Sequence, residues 1–247
     1  MKTVLITGCS SGFGLETTRY FLDRGWSVVA TMRTPREDIL PRSEHLRVIS
    51  LDVTNQESIE QAIIAAGPID VLVNNAGIGW LNALEGTPME ITRQTFETNT
   101  FGTMAMTQAV LPQFRERRSG TIVNVTSSVT LKPLHLLSAY TASKAAVNAF
   151  SEVLALELEP FDVRVRVVLP GRAPETSFGQ SAMARSQDGI PKAYAGLAQR
   201  VFASWQQDTG PITYATDVAQ AIWRAATDPA CPMRLPAGAD AAALMPN

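Results

Sequence analysis

A tyrosine can hand a proton to a substrate oxygen, and a lysine beside it can steady the charge left behind. In "SAYTASKAAV" (Ser138 to Val147) Tyr140 and Lys144 stand four residues apart in a small, apolar run. On a helix such residues share one face, one turn above the other, and act on the same small volume. A free phenol, with a pKa near ~10, is a poor base at neutral pH, and a neighbouring cation favours its ionised form. An isolated Y-x-x-x-K equally describes a solvated lysine beside a half-buried tyrosine. The surrounding elements must decide between the two.

Short β-branched runs alternate with longer helical patterns. "TVLITG" (Thr3 to Gly8), "WSVVATM" (Trp26 to Met32), "LRVISLD" (Leu46 to Asp52), "IDVLVNNAG" (Ile69 to Gly77), "GTIVNVTSS" (Gly120 to Ser128) and "VRVRVVLPG" (Val163 to Gly171) read as buried strands. Helical segments lie between them: Gly14 to Arg24, Asn55 to Ala66, Glu90 to Arg117 and Ala139 to Glu159. The alternation predicts an α/β fold, a doubly wound parallel sheet of Rossmann-like type with helices on both faces. No repeat or linker divides residues 1–247, so one domain is expected. Ser138 is the expected cap of the helix carrying Tyr140, and Pro160 marks its end. Lys144 then falls in the second turn, at the rim of strand ends where open α/β sheets bind ligands.

Composition narrows the partners. A net charge of -2 without a basic block argues against nucleic acid. No apolar run reaches the ~20 residues of a membrane span. The N-terminal "MKTVLITG" goes straight into a strand-like run, unlike a signal peptide. Cys9 and Cys231, in unrelated contexts, support neither a disulfide framework nor a metal site, and a cytoplasmic location is expected.

Directly after the first strand comes "TGCSSGFG", with Gly8, Gly12 and Gly14 around Ser10, Ser11 and Phe13. Glycines between a strand and a helix permit a tight turn and let the backbone approach a pyrophosphate, so a dinucleotide is the expected cofactor. The spacing G-x-x-x-G-x-G differs from the common G-x-G-x-x-G fingerprint. At the end of the second strand an acidic residue would bind a ribose 2′-hydroxyl, and an arginine would accommodate a 2′-phosphate. Here "VVATMRTPRE" offers Arg33 and no carboxylate before Glu37, which favours NADP(H) over NAD(H).

With these residues in place the sequence resembles the short-chain dehydrogenase/reductase family, in its one-domain branch. The resemblance runs from Lys2 to about Gly171 through "TGCSSGFG", "LDV", "NNAG", Asn99 in "FETNTFG", "IVNVTSS", "YTASK" and "PG". It implies an oxidoreductase interconverting an alcohol and a ketone or aldehyde, with Tyr140 as general acid or base. Lys144 would tune that phenol and hold the nicotinamide ribose, and Asn99 would anchor a water chain towards Lys144. A serine would steady the substrate oxygen. Motif register favours Ser128, with one residue deleted from the following loop, whereas counting back thirteen from Tyr140 favours Ser127. Ser128 is the assignment adopted from register. The resemblance further implies adenine contacts from Asp52 and Val53, backbone contacts from Asn75, Ala76 and Gly77, and nicotinamide contacts from Pro170 and Gly171. Asp52 equally suits a turn before the helix at Asn55. Asn74 reads as a link between strands. Thr176 lies five residues past Gly171, where the family often has a threonine at four, which leaves its contact with cofactor open.

From Arg172 to about Gly210 two helices are expected, "ETSFGQSAMARS" and "KAYAGLAQRVFASW", separated by "QDGIP". In this position the family carries its substrate lid. Phe178, Met183, Tyr194, Leu197, Phe202, Trp205 and Trp80 offer apolar surface either to a moderately apolar alcohol or carbonyl substrate or to the core. His45, His135 and "RERR" (Arg115 to Arg118) read as solvated. Two other functions fit the same fold: an NADP(H)-sensing protein without turnover, and a non-redox lyase similar to the halohydrin dehalogenases. The intact serine, tyrosine, lysine and asparagine set argues against the first, and the nucleotide loop with its lysine against the second. The helices Glu90 to Arg117 and Ala139 to Glu159 resemble those of the family's dimer interface, which predicts a homodimer or homotetramer.

Overall fold

Runs of β-branched residues become strands because such side chains pack well on a pleated surface. The computed structural model describes residues 1–186 and 189–245. Its strands are β1 (Thr3–Ile6), β2 (Ser27–Met32), β3 (Leu46–Ser50), β4 (Val71–Asn74), β5 (Gly120–Val125), β6 (Val163–Pro170) and β7 (Arg234–Ala237). All pair in parallel in the order β3-β2-β1-β4-β5-β6-β7. The order reverses between β1 and β4, and the crevice beyond those strand ends is where such sheets bind ligands.

The helices are α1 (Gly12–Leu22), α2 (Gln56–Ala66), α3 (Met89–Phe96), α4 (Gly102–Arg117), α5 (Ser138–Leu158), α6 (Ser177–Ser186), α7 (Ala195–Gln207), α8 (Ala215–Thr227) and α9 (Ala239–Ala242). Strand side chains alternate between two apolar layers. Val4, Ile6, Val28 and Ala30 join Phe21 of α1 and Ile222 of α8 in one layer. Leu5, Val29, Leu72 and Ile122 join Ile59 of α2, Met106 of α4 and Leu158 of α5 in the other. Both sheet faces are therefore covered, as the doubly wound expectation requires.

Three local expectations change. The helix expected over Glu90 to Arg117 is interrupted: a π-helical turn, Glu97–Phe101, separates α3 from α4 and carries Asn99. The strand expected to run to Gly77 stops at Asn74, because the Asn75 and Ala76 amides turn away to donate to Thr7 Oγ1 at 3.0 and 2.9 Å. Ser138 is the first residue of α5 rather than its cap. Leu137 holds the cap position and makes no side-chain capping bond. The two expected lid helices are present as α6 and α7. Gln187 and Asp188 of the "QDGIP" link lie outside the described residues.

Candidate active site

The glycine turn is built by close approach. A Cβ on Gly8 (φ +73°) would lie 2.8 Å from the Ala76 Cα, and one on Gly14 would run into the Gly8 carbonyl. Asn75 Nδ2 donates to the carbonyls of Thr7 (2.8 Å) and Gly8 (3.1 Å), which ties this turn to the end of β4. Thr7 and Asn75 thus lock β1 to β4 at the switch point. Sequence reading missed Thr7, whose only signal was its place before Gly8. Ser10 and Ser11 are exposed, Phe13 packs on the core, and α1 begins at Gly12 without an acidic residue in its first turn. Backbone amides at such a helix start favour an anion. These residues fit a dinucleotide: the cradle is one that any side chain at Gly8 or Gly14 would fill, and its helix end suits phosphate. Arg33 is exposed where β2 ends, and no carboxylate among the described residues pairs with it, whereas Arg36 is held by Asp38 at 2.8 Å.

Asp52 anchors the turn before α2. Its Oδ1 accepts from the Thr54 amide (2.9 Å) and hydroxyl (2.8 Å), and Asn55 caps α2 through the Ser58 amide at 2.8 Å. Val53 is buried against Gly102, where a Cβ would fall 2.9 Å from it.

Across the crevice, Tyr140 and Lys144 are buried, 7 % and 5 % exposed. Lys144 Nζ donates to the Val125 carbonyl at 3.0 Å. A Cβ on Gly77 would lie 3.3 Å from Lys144 Nζ and 3.2 Å from Asn99 Oδ1, so both line the space beside Gly77. Asn99 is clasped on every side. Its Oδ1 accepts from the Ile78 amide (2.8 Å), its Nδ2 donates to the Ile78 carbonyl (2.9 Å) and to Ser143 Oγ (3.0 Å), and its carbonyl accepts from Thr103 Oγ1 (2.9 Å). Ser143 Oγ in turn donates to the Tyr140 carbonyl at 2.7 Å. The π-helical turn is what aims Asn99 at this junction, as π-turns at functional sites often do.

The two candidate serines differ in setting. The Ser127 hydroxyl bonds the Tyr140 phenol and also accepts from the Val129 amide at 3.3 Å. Ser127 is extended (φ -169°, ψ 150°) and continues the strand's alternation, whereas Ser128 opens a 3-10 turn. The short loop closes through Leu136, a residue at φ 64°, where a branched side chain is strained.

The electrostatics also depart from expectation. Burial pushes the Tyr140 phenol up to about 12, and the Ser127 hydroxyl acts in the opposite direction. Burial brings Lys144 down to about 8. Desolvation, which disfavours whichever form is charged, acts on both groups. Cys9 is inert for the same reason, its thiol pushed up to about 11 by burial inside the glycine turn.

The segment after β6 covers this site. The Phe178 ring stands 5.6 Å from that of Tyr140, and a Cβ on Gly79 would lie 2.9 Å from Phe178. Thr176 packs beside Gly12 while its Oγ1 donates to the Ala173 carbonyl (2.9 Å), and Ser177 Oγ meets Ser11 Oγ at 3.2 Å. Of the other apolar candidates, Tyr194, Leu197, Phe202 and Trp205 pack with Ala83 and Leu136 in a satellite core. Met183 is exposed, and the Trp80 indole N–H is buried with no acceptor among the described residues. The Gly171 amide turns inward, to the Ala237 carbonyl (3.2 Å) and Thr213 Oγ1 (3.0 Å). His135 is exposed as expected. "RERR" is exposed as expected, and Arg117 also donates to the Ile69 carbonyl. Among the described residues no cluster of ligating side chains could hold a metal, and no helix is long and apolar enough to cross a membrane.

Known proteins share this fold. The family pattern described as short chain dehydrogenase matches residues 2–186. An uncharacterized oxidoreductase, YusZ of Bacillus subtilis, is 35% identical over 239 residues, covering 92% of this chain and 85% of that protein. A 3-ketodihydrosphingosine reductase of Bacteroides thetaiotaomicron is 41% identical over 174 residues, 69% of this chain and 63% of the reductase. Among solved structures, the closed form of a serine dehydrogenase complexed with NADP+ superposes with a TM-score of 0.80 at 31% identity, covering 96% of this chain and 94% of the other. Glycine turn, switch-point crevice and buried tyrosine–lysine pair thus occur in a chain that belongs to the short-chain dehydrogenase family, an oxidoreductase built for a nicotinamide cofactor.

Proposed function

We propose that this chain is an NADP(H)-dependent alcohol dehydrogenase or carbonyl reductase, with Tyr140 as the proton-transfer group. One observation carries the reading: Lys144 and Asn99 meet beside Gly77, and Tyr140, one turn before Lys144 on α5, is buried with its phenol at the Ser127 hydroxyl. Bound in that crevice, a reduced nicotinamide supplies hydride to the carbonyl carbon. The Ser127 hydroxyl donates to the substrate oxygen and holds it at the phenol. Tyr140 gives its proton to that oxygen as the alcohol forms, and burial, which raises the phenol's pKa, favours its protonated form before the reaction. Lys144 steadies the phenolate left behind, and Asn99 anchors the route by which the proton returns. Alcohol oxidation runs the same steps backwards.

Arg33 favours NADP(H), since an exposed guanidinium without a carboxylate partner suits a 2′-phosphate. The substrate is a moderately apolar alcohol or carbonyl compound, received between Phe178 and Trp80 under the lid at about 172–210. Of the apolar lid side chains, Tyr194, Leu197, Phe202 and Trp205 pack against the satellite core. Two chains or four assemble through α5, whose outer face exposes Ala142, Ala145, Ala149, Val153 and Leu156 near Phe101. Two free, buried cysteines suit a reducing cytoplasm.

The test is a panel of ketones and aldehydes with purified protein and NADPH, following loss of nicotinamide absorbance. Oxidation of NADPH by an apolar carbonyl is expected. Tight NADPH binding without turnover across the panel would establish a sensor instead.

A further inference from the structure

Residues 173–212 leave the sheet after β6 and return before α8, and the two ends of this excursion are stapled together. The Thr213 amide donates to the Arg172 carbonyl at 2.8 Å. The Arg172 guanidinium reaches the Asp208 carboxylate at 3.5 Å and the Asp208 carbonyl at 3.3 Å. Beneath both ends sits Asp240 of α9. Its Oδ2 accepts from the Arg172 amide and its Oδ1 from the Thr213 hydroxyl, each at 2.6 Å. The same hydroxyl oxygen accepts from the Gly171 amide at 3.0 Å and lies 2.9 Å from the Ala237 carbonyl. One carboxylate and one buried hydroxyl therefore join the end of β6, the end of the lid and the end of β7.

Two glycines make room for this junction. A Cβ on Gly171 would run into the Asp240 carboxylate, and one on Gly238 (φ +96°) would lie 2.7 Å from the Thr213 Cβ. Gly171 is thus explained by the carboxylate behind it, with its amide turned inward. Thr213 is fully buried, so its hydroxyl has no water to fall back on. Bonds to an ionised carboxylate are among the stronger ones available to a backbone amide or a hydroxyl.

We propose that Thr213 and Asp240 form a latch that fixes the base of the lid and the Pro170–Arg172 turn, which makes Asp240 a positioning residue for the reaction. The proposal rests on the reading of 172–210 as the substrate cover. Phe178 lies six residues past Arg172, so any looseness at the latch is passed to the ring beside Tyr140. The latch acts on how the substrate is held and leaves the proton-transfer groups intact.

Hydrogen exchange on the full chain tests it without needing any substrate. Asp240→Ala and Thr213→Val should each speed amide exchange across 172–213 by about 10-fold or more, the size expected for loss of a charge-assisted bond. Exchange in β4, β5 and α5 should stay as in the parent, and Thr213→Ser, which keeps the hydroxyl, should restore protection. With NADPH and an accepted carbonyl, Asp240→Ala should raise KM for the carbonyl by a similar factor while kcat falls less. Parent-like exchange across 172–213 in both variants overturns the latch, as does faster exchange spread evenly through the sheet. Faster exchange with an unchanged carbonyl KM overturns the positioning role. Failure of the parent to reduce any carbonyl would count against the proposed redox function and leave the exchange result to stand or fall by itself.

Discussion

The two halves of the sheet hold their ligand-facing residues by different means. On the β1–β3 side the strands bury almost purely apolar side chains, and the site is offered as backbone: a glycine turn and a helix start. On the β4–β6 side a polar ladder runs through the core. Asn74 and Asn124 are register partners in adjacent strands, joined Nδ2 to Oδ1 at 2.9 Å. Asn74 Nδ2 also reaches Thr107 Oγ1 of α4 (3.1 Å), and Asn124 Nδ2 reaches Ser151 Oγ of α5 (2.8 Å). Apolar packing tolerates small slides, whereas a buried hydrogen bond left unmade is costly. The helix bearing Tyr140 and Lys144 is therefore pinned in register to the strands, as the proposed proton transfer would require. A phosphate met by several amides makes a lesser demand.

The contrast can be broken most sharply at the phenol. Tyr140→Phe keeps the ring against Phe178 and removes the oxygen, so turnover should fall by about 10²–10⁴-fold while NADPH affinity holds. Steady-state kinetics beside a binding titration reads both, and near-parental turnover would end the role given to Tyr140.

Lys144 comes next, through stability. Its folded pKa of about 8 lies below the 10.5 of an unfolded lysine, so the unfolded chain holds the proton more tightly between those values. Parent stability should rise as pH climbs from about 8 towards 10.5, by roughly 3 kcal/mol if the full shift is expressed. The same sign means that the charged, buried lysine costs stability at neutral pH. Lys144→Met should lose that pH dependence, be no less stable than the parent at pH 7, and fail in turnover. Urea melts across this range check it.

On the opposite side, Arg33→Ala should weaken NADPH by roughly 1.5–3 kcal/mol and leave NADH nearly unchanged. Equal affinity of the parent for the two cofactors would remove Arg33 from the site. Asn124→Ala should cost about 1–3 kcal/mol of stability by stranding its polar partners. It should also slow turnover, whereas a loss of stability alone would mean the ladder serves folding only.

How much was legible beforehand follows from how local each feature is. The glycine turn, the strand series and the shared face of Tyr140 and Lys144 depend on conformational preferences within a few residues, and the sequence carries those directly. Strand ends were less legible. "NNAG" continues the β-branched run in composition, but Thr7, almost seventy residues away, captures its amides and ends the strand.

Tertiary structure alone decided the rest. Ser127 and Ser128 are the same residue type side by side, and only the path of the chain into the following turn aims one hydroxyl at Tyr140. Spacing brought an ammonium near a phenol, yet the sign of the phenol's shift came from how much water the fold removes around both groups. Asp240 reads as an ordinary residue near the end of the chain until folding sets it behind Gly171 and Thr213. Periodicity and turn chemistry are properties of neighbours in sequence, whereas desolvation and long-range hydrogen bonds belong to neighbours in space.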